Sequence, residues 1–111
     1  MKKPELRERD IQRQICDWMT LHRIFWRRSN TGAAVHTYKG KTRMIRFGQK
    51  GMADLFAVIR GRHIAIEVKR PGESPTADQE QFGKELEAAG GVYIVADCIE
   101  QLIHDIEEVQ K

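Results

Sequence analysis

The 111-residue chain predicts an α/β domain: a mixed central β-sheet flanked by helices, in the order α-β-β-β-α-β-α with a basic hairpin or loop ahead of the central strands. Three observations carry this expectation. Two apolar runs, residues 55–59 and 64–68, flank Arg60-Gly61-Arg62 and read as a hairpin with glycine at its turn. Apolar side chains at three- and four-residue spacing precede the hairpin and recur twice after it. A nearly continuous apolar run, Val92-Tyr93-Ile94-Val95-Ala96, has the character of an interior strand. The length suits a single domain over residues 1–111 and is too short for two independent cores.

The first helix is expected over about residues 4–22, where Ile11, Ile15, Trp18 and Met19 form the apolar stripe and Pro4 suits the opening turn. Glu8 stands three residues before Ile11 and four before Gln12, which puts it at the edge of the face that packs on the sheet. Taken alone, it would be an exposed acid favoured near a helix N-terminus. Ile24-Phe25-Trp26-Arg27-Arg28-Ser29 reads as a first strand, followed by an Asn30-Thr31-Gly32 turn. Residues 35–47 are polar and basic around Gly40 and suggest a hairpin or a long ordered loop. There Lys39, Lys41, Arg43 and Arg46, interleaved with Tyr38 and Phe47, fit a nucleic-acid groove, with Arg27, Arg28, Asn30, Lys50 and Arg70 as further DNA-binding candidates. A plain solvated hairpin would have the same composition.

Beyond the central hairpin, Arg70-Pro71-Gly72-Glu73-Ser74-Pro75 is a loop by its prolines and glycine. Thr76 with Gln79 three residues later matches a capping box, and Phe82, Leu86 and Ala89 continue an apolar face until Gly90-Gly91. Gln79 shares that inward face with Phe82, so a role at a site over the sheet competes with capping. After the strand at 92–96, a last helix over about residues 98–109 places Ile99, Leu102, Ile103 and Ile106 on one face.

Charge is divided along the chain: residues 1–70 hold 17 Lys and Arg against 6 Asp and Glu, net +11, whereas residues 71–111 hold 2 against 10, net −8. A basic half beside an acidic one suggests one surface for a polyanion. Two solvated faces of opposite sign are the plainer alternative. Cys16 and Cys98 fit no zinc-ligand spacing and are expected as reduced core residues. With no span of about 18 apolar residues and no hydrophobic leader, the expected location is cytoplasmic, without a membrane partner.

Asp54, Glu67 and Lys69 interrupt runs that otherwise look buried on both faces, and charges there need a reason. Residues two apart on a strand share a face, so Glu67 and Lys69 point the same way. A two-residue loop, either Arg60-Gly61 or Gly61-Arg62, sets Asp54 opposite Glu67 or Lys69 and keeps all three together, whereas a three-residue loop without a bulge would not. Two carboxylates so placed, with the Val68 backbone carbonyl between Glu67 and Lys69, suit Mg2+ or Mn2+, hard cations that take oxygen ligands and leave room for a phosphate. Glu8 would bind the metal or its water, and Lys69 would orient a nucleophilic water or stabilise the transition state.

In order and spacing, Glu8 with Gln12, Arg28-Ser29-Asn30-Thr31-Gly32, Gly51-Met52-Ala53-Asp54-Leu55, Glu67-Val68-Lys69 and Gln79 resemble the VRR-NUC family of the PD-(D/E)xK nuclease superfamily. The resemblance implies a restriction-endonuclease-like core and metal-dependent cleavage of phosphodiesters. Asp54 and Glu67 would be metal ligands, Lys69 catalytic, Glu8 a further acidic site residue and Gln79 a supporting one. Ala53 stands where the family has proline, which removes a rigid turn and no ligand. Stand-alone members of the family imply a homodimer acting on branched DNA such as four-way (Holliday) junctions, a DNA-repair substrate, with Trp26, Met44 and Ile45 as either dimer-surface or core residues. The alternatives are a non-catalytic DNA-binding module, whose buried charges form structural ion pairs, and a restriction-type or nonspecific nuclease.

Overall fold

A computed structural model describes residues 6–29, 33–46 and 51–111, and for residues 33–36 and 43–46 only the course of the backbone. The elements run α1 (Glu8–Leu21), β1 (Phe25–Arg28), β2 (Ala33–Tyr38), β3 (Lys41–Arg46), β4 (Leu55–Ile59), β5 (Arg62–Val68), α2 (Ala77–Ala88), β6 (Val92–Ala96) and α3 (Ile99–Gln110). The architecture is thus mixed α/β, in the expected element order. The segment left open between hairpin and loop is a hairpin, in which β2 and β3 pair antiparallel through a turn at Lys39 and Gly40. Pro4, the Asn30-Thr31-Gly32 turn, Phe47 and Lys50 lie outside the described residues.

Four strands form the main sheet in the order β1-β4-β5-β6, antiparallel except for the parallel pair β5 and β6. That parallel pair needs a crossover, which α2 supplies. The central turn is the two-residue Arg60-Gly61 alternative, with Ile59 opposite Arg62. Both turn residues have positive φ, 52° and 77°, the left-handed geometry that matches the twist of a tight hairpin.

Alternation divides the sheet into two faces. Leu55, Ala57, Ile64, Ile66, Val68 and Ile94 point to one, where Ile11, Ile15 and Met19 of α1 and Leu102 and Ile106 of α3 complete a buried core. Each such aliphatic side chain contributes about 1.5–3 kcal/mol by leaving water. Trp26 packs against this core, and its indole N–H donates to Thr20 Oγ1 at 2.9 Å. Cys16 is buried as expected, but Cys98 is only half-buried because it caps α3 from the rim. Ala89, expected on the apolar face of α2, is exposed as its C-cap.

The other face carries Asp54, Glu67 and Tyr93, and α2 lies over its β6 side. Gly83 allows this approach, since a Cβ there would meet the Tyr93 ring at 2.6 Å. Among the described residues no helix is long and apolar enough to cross a membrane.

Candidate active site

The site grows from the hairpin register. Leu55 pairs with Ile66, so the next step outward sets Asp54 opposite Glu67, and Lys69 follows on the same face. Asp54 is held at both ends: its backbone carbonyl accepts from Ser29 N–H at 3.0 Å, and its Oδ2 accepts from Val68 N–H at 2.9 Å. Lys69 N–H donates to Ala96 O on the β6 side at 2.9 Å. Successive residues of a strand turn their backbone groups to opposite edges, so the Val68 carbonyl turns toward β4 and the Asp54 side.

Glu67 is 3% exposed, the buried charged residue of this sheet. Its Oε1 accepts from Gln79 Nε2 at 2.9 Å, whereas Oε2 is buried without a hydrogen-bond partner. Burial first, then the charge of Asp54, push the Glu67 carboxyl up to about 8 against the pull of Lys69. Glu8, half-buried at the start of α1, is raised by burial and then by Asp54, and is lowered by Lys69. Glu8, Asp54, Glu67 and Lys69 therefore share one electrostatic neighbourhood, in which three acids compete for one nearby ammonium.

Gln79 plays both of its expected parts. Its Oε1 accepts from Thr76 N–H at 2.9 Å, completing the capping box, while its Nε2 reaches Glu67. No family model, curated protein or solved structure matches the chain.

An uncompensated oxygen on Glu67 beside a second carboxylate has the chemistry of a cation site. Among the described residues no group of three His, Cys, Asp or Glu stands in metal-ligating geometry. Two carboxylates and a carbonyl fit Mg2+ or Mn2+, which keep waters and take further oxygens from a phosphate, better than they fit zinc.

The DNA-binding candidates scatter more widely. Arg27 and Arg28 lie side by side on β1 and point to opposite faces. Lys39 and Lys41 flank the tip of the separate β2–β3 hairpin, with Lys39 Nζ 5.5 Å from the Tyr38 ring centre. Arg70 lies 3.9 Å from Glu73 in the loop before α2. Arg43 and Arg46 are on β3, where only the backbone is described, as it is for Met44 and Ile45; Asn30 and Lys50 lie outside the described residues.

Two features escaped the sequence reading. A groove of about 670 Å³ between α1 and β1 is lined by Arg9, Arg13 and Arg28 with Trp26, and Asp10 and Asp17 temper its charge. The four-residue repeat of Arg9 and Arg13 was the available signal. Tyr93 stands on the face of Glu67 with its hydroxyl buried and unpartnered, and burial, then Glu67 and Asp54, push it up to about 12. Only the β5–β6 register, Ala65 beside Tyr93, brings it there.

Proposed function

We propose that this protein is a Mg2+- or Mn2+-dependent endodeoxyribonuclease with a restriction-endonuclease-like core of the VRR-NUC type. The observation that carries the reading is Asp54 facing Glu67, whose second oxygen is buried and unpartnered, with Lys69 on the same face. Asp54 and Glu67 would hold the cation, with the Val68 carbonyl as a further ligand. When bound, it would lower the pKa of a water and neutralise charge on the leaving oxygen.

The chain's own residues do the rest. Lys69 offsets negative charge gathering on the attacked phosphate and orients the attacking water. Glu8 accepts a hydrogen bond from that water. Gln79 is a positioning residue that holds the Glu67 carboxyl while leaving its second oxygen free. Arg9, Arg13 and Arg28, in the groove between α1 and β1, would receive phosphates of the bound DNA away from the scissile bond. A two-fold homodimer would present two equivalent sites to the equivalent strands of a four-way junction, the substrate proposed with it.

A binding-only module has one observation on its side, because Asp54 Oδ2 and Glu67 Oε1 already have partners within the fold. The two readings part on a panel of end-labelled four-way junction, flap, linear duplex and single-stranded DNA, each incubated with Mg2+, Mn2+ or chelator. The nuclease reading expects metal-dependent cutting, fastest on the junction. Equal cutting of all four removes the junction preference, and no cutting by folded protein rejects the enzyme.

A further inference from the structure

We propose that the part of the active-site face over β1 and β4 is a stacking platform for unpaired bases of the DNA strand being cut; this rests on the nuclease reading above. Pairing places the residues of this face in three rows across the strands. Asp54 and Glu67 form the first, Arg27, Phe56 and Ala65 the second, and Phe25, Val58 and His63 the third. Whereas α2 lies over the β6 side, among the described residues Phe25 and Val58 stay 52% and 38% exposed.

Large apolar side chains left in water on a sheet face point to a binding surface. Their arrangement specifies its ligand. The Phe56 and His63 rings stack at 5.2 Å and 13°, Phe25 lies 6.3 Å from Phe56 at 50°, and the Arg27 guanidinium sits 4.6 Å from the Phe25 ring centre. Flat π surfaces with a cation at one end are what a single strand needs, rings for bases and Arg for phosphate, and they suit any base. The second row begins two residues from Asp54, about 7 Å along the strand, comparable to the spacing of successive phosphates. A base resting on Phe56 would thus belong to a nucleotide next to the scissile bond.

A second copy of the chain is the poorer occupant. Two Phe rings, at about 150–250 Å² each when wholly covered, and one Val fall short of the roughly 800 Å² per partner of a stable interface.

The test uses Phe25→Leu and Phe56→Leu, which keep an apolar side chain and remove the ring. Anisotropy of a labelled single-stranded oligonucleotide, measured in chelator so that nothing is cut, should show affinity falling about 5- to 150-fold per ring. Affinity for a blunt duplex should change less than about two-fold. A 2-aminopurine base in the single strand should be quenched by the wild type and bright with Phe56→Leu. Unchanged single-strand affinity in both variants, an equal loss on the duplex, or a wild-type dimer that both variants turn into monomer by sedimentation would each overturn the platform. Quenching without any metal-dependent cutting sinks the nuclease reading and leaves the platform standing. Cutting without quenching does the reverse.

Discussion

Gln79 joins the first turn of α2 to Glu67: its Oε1 accepts from Thr76 N–H and its Nε2 donates to Glu67 Oε1, both at 2.9 Å. One side chain thereby fixes where the helix begins and how the site carboxyl is aimed. Gln79→Ala loses half of a capping box and strips a buried carboxyl of its donor. Urea unfolding should show a loss of about 1–3 kcal/mol. A cost near zero would mean that the contact does not hold Glu67.

The protonation of Glu67 makes stability depend on pH. Its carboxyl titrates near 4.5 when unfolded and near 8 when folded. Between these values the folded chain keeps a proton that the unfolded chain has lost, so stability falls as pH rises from about 4.5 to 8, then levels. Within that window the slope is at most about 1.4 kcal/mol per pH unit. Glu67→Gln should flatten the profile and be the more stable protein at pH 8 in chelator, at the expense of cutting. Parallel profiles for the two proteins would refute this.

Gly51 carries a third prediction. Its φ is +83°, and a Cβ there would run into the backbone carbonyl of Asp78, so the approach to Asp54 is packed against the start of α2. Gly51→Ala should cost about 1–3 kcal/mol and lower cutting through displacement of Asp54. Gly61→Ala, with nothing near its Cβ, provides the comparison of backbone strain alone. Equal losses in the two variants would show that the contact with α2 is immaterial.

The hairpin was legible because its turn and alternation are local: glycine at 61 and apolar runs on either side put Asp54, Glu67 and Lys69 on one face, while the choice of Glu67 over Lys69 opposite Asp54 waited on which two residues make the turn. The first and last helices were legible from their stripes, and β6 from its unbroken apolar run. What could not be read was the pairing of distant strands. Nothing near Phe25 in the sequence says that β1 lies against β4, so the Phe25–Phe56–His63 cluster was invisible, as was Tyr93 beside Glu67. Local pattern specifies which face a side chain takes and leaves its neighbours to the topology. Gln79 was ambiguous for another reason: an amide has two ends, and here both are used.

In the proposed reaction Asp54, Glu67 and Lys69 act together on a phosphodiester. The most direct test of this is the single-turnover rate at which a labelled four-way junction is cut in Mg2+ by the wild type and by Asp54→Asn, which keeps an acceptor for Val68 N–H, with folding of both verified by circular dichroism. Metal-dependent cutting by the wild type and a loss of about 100-fold or more in the variant are expected. Cutting by Asp54→Asn at the wild-type rate would contradict that joint action.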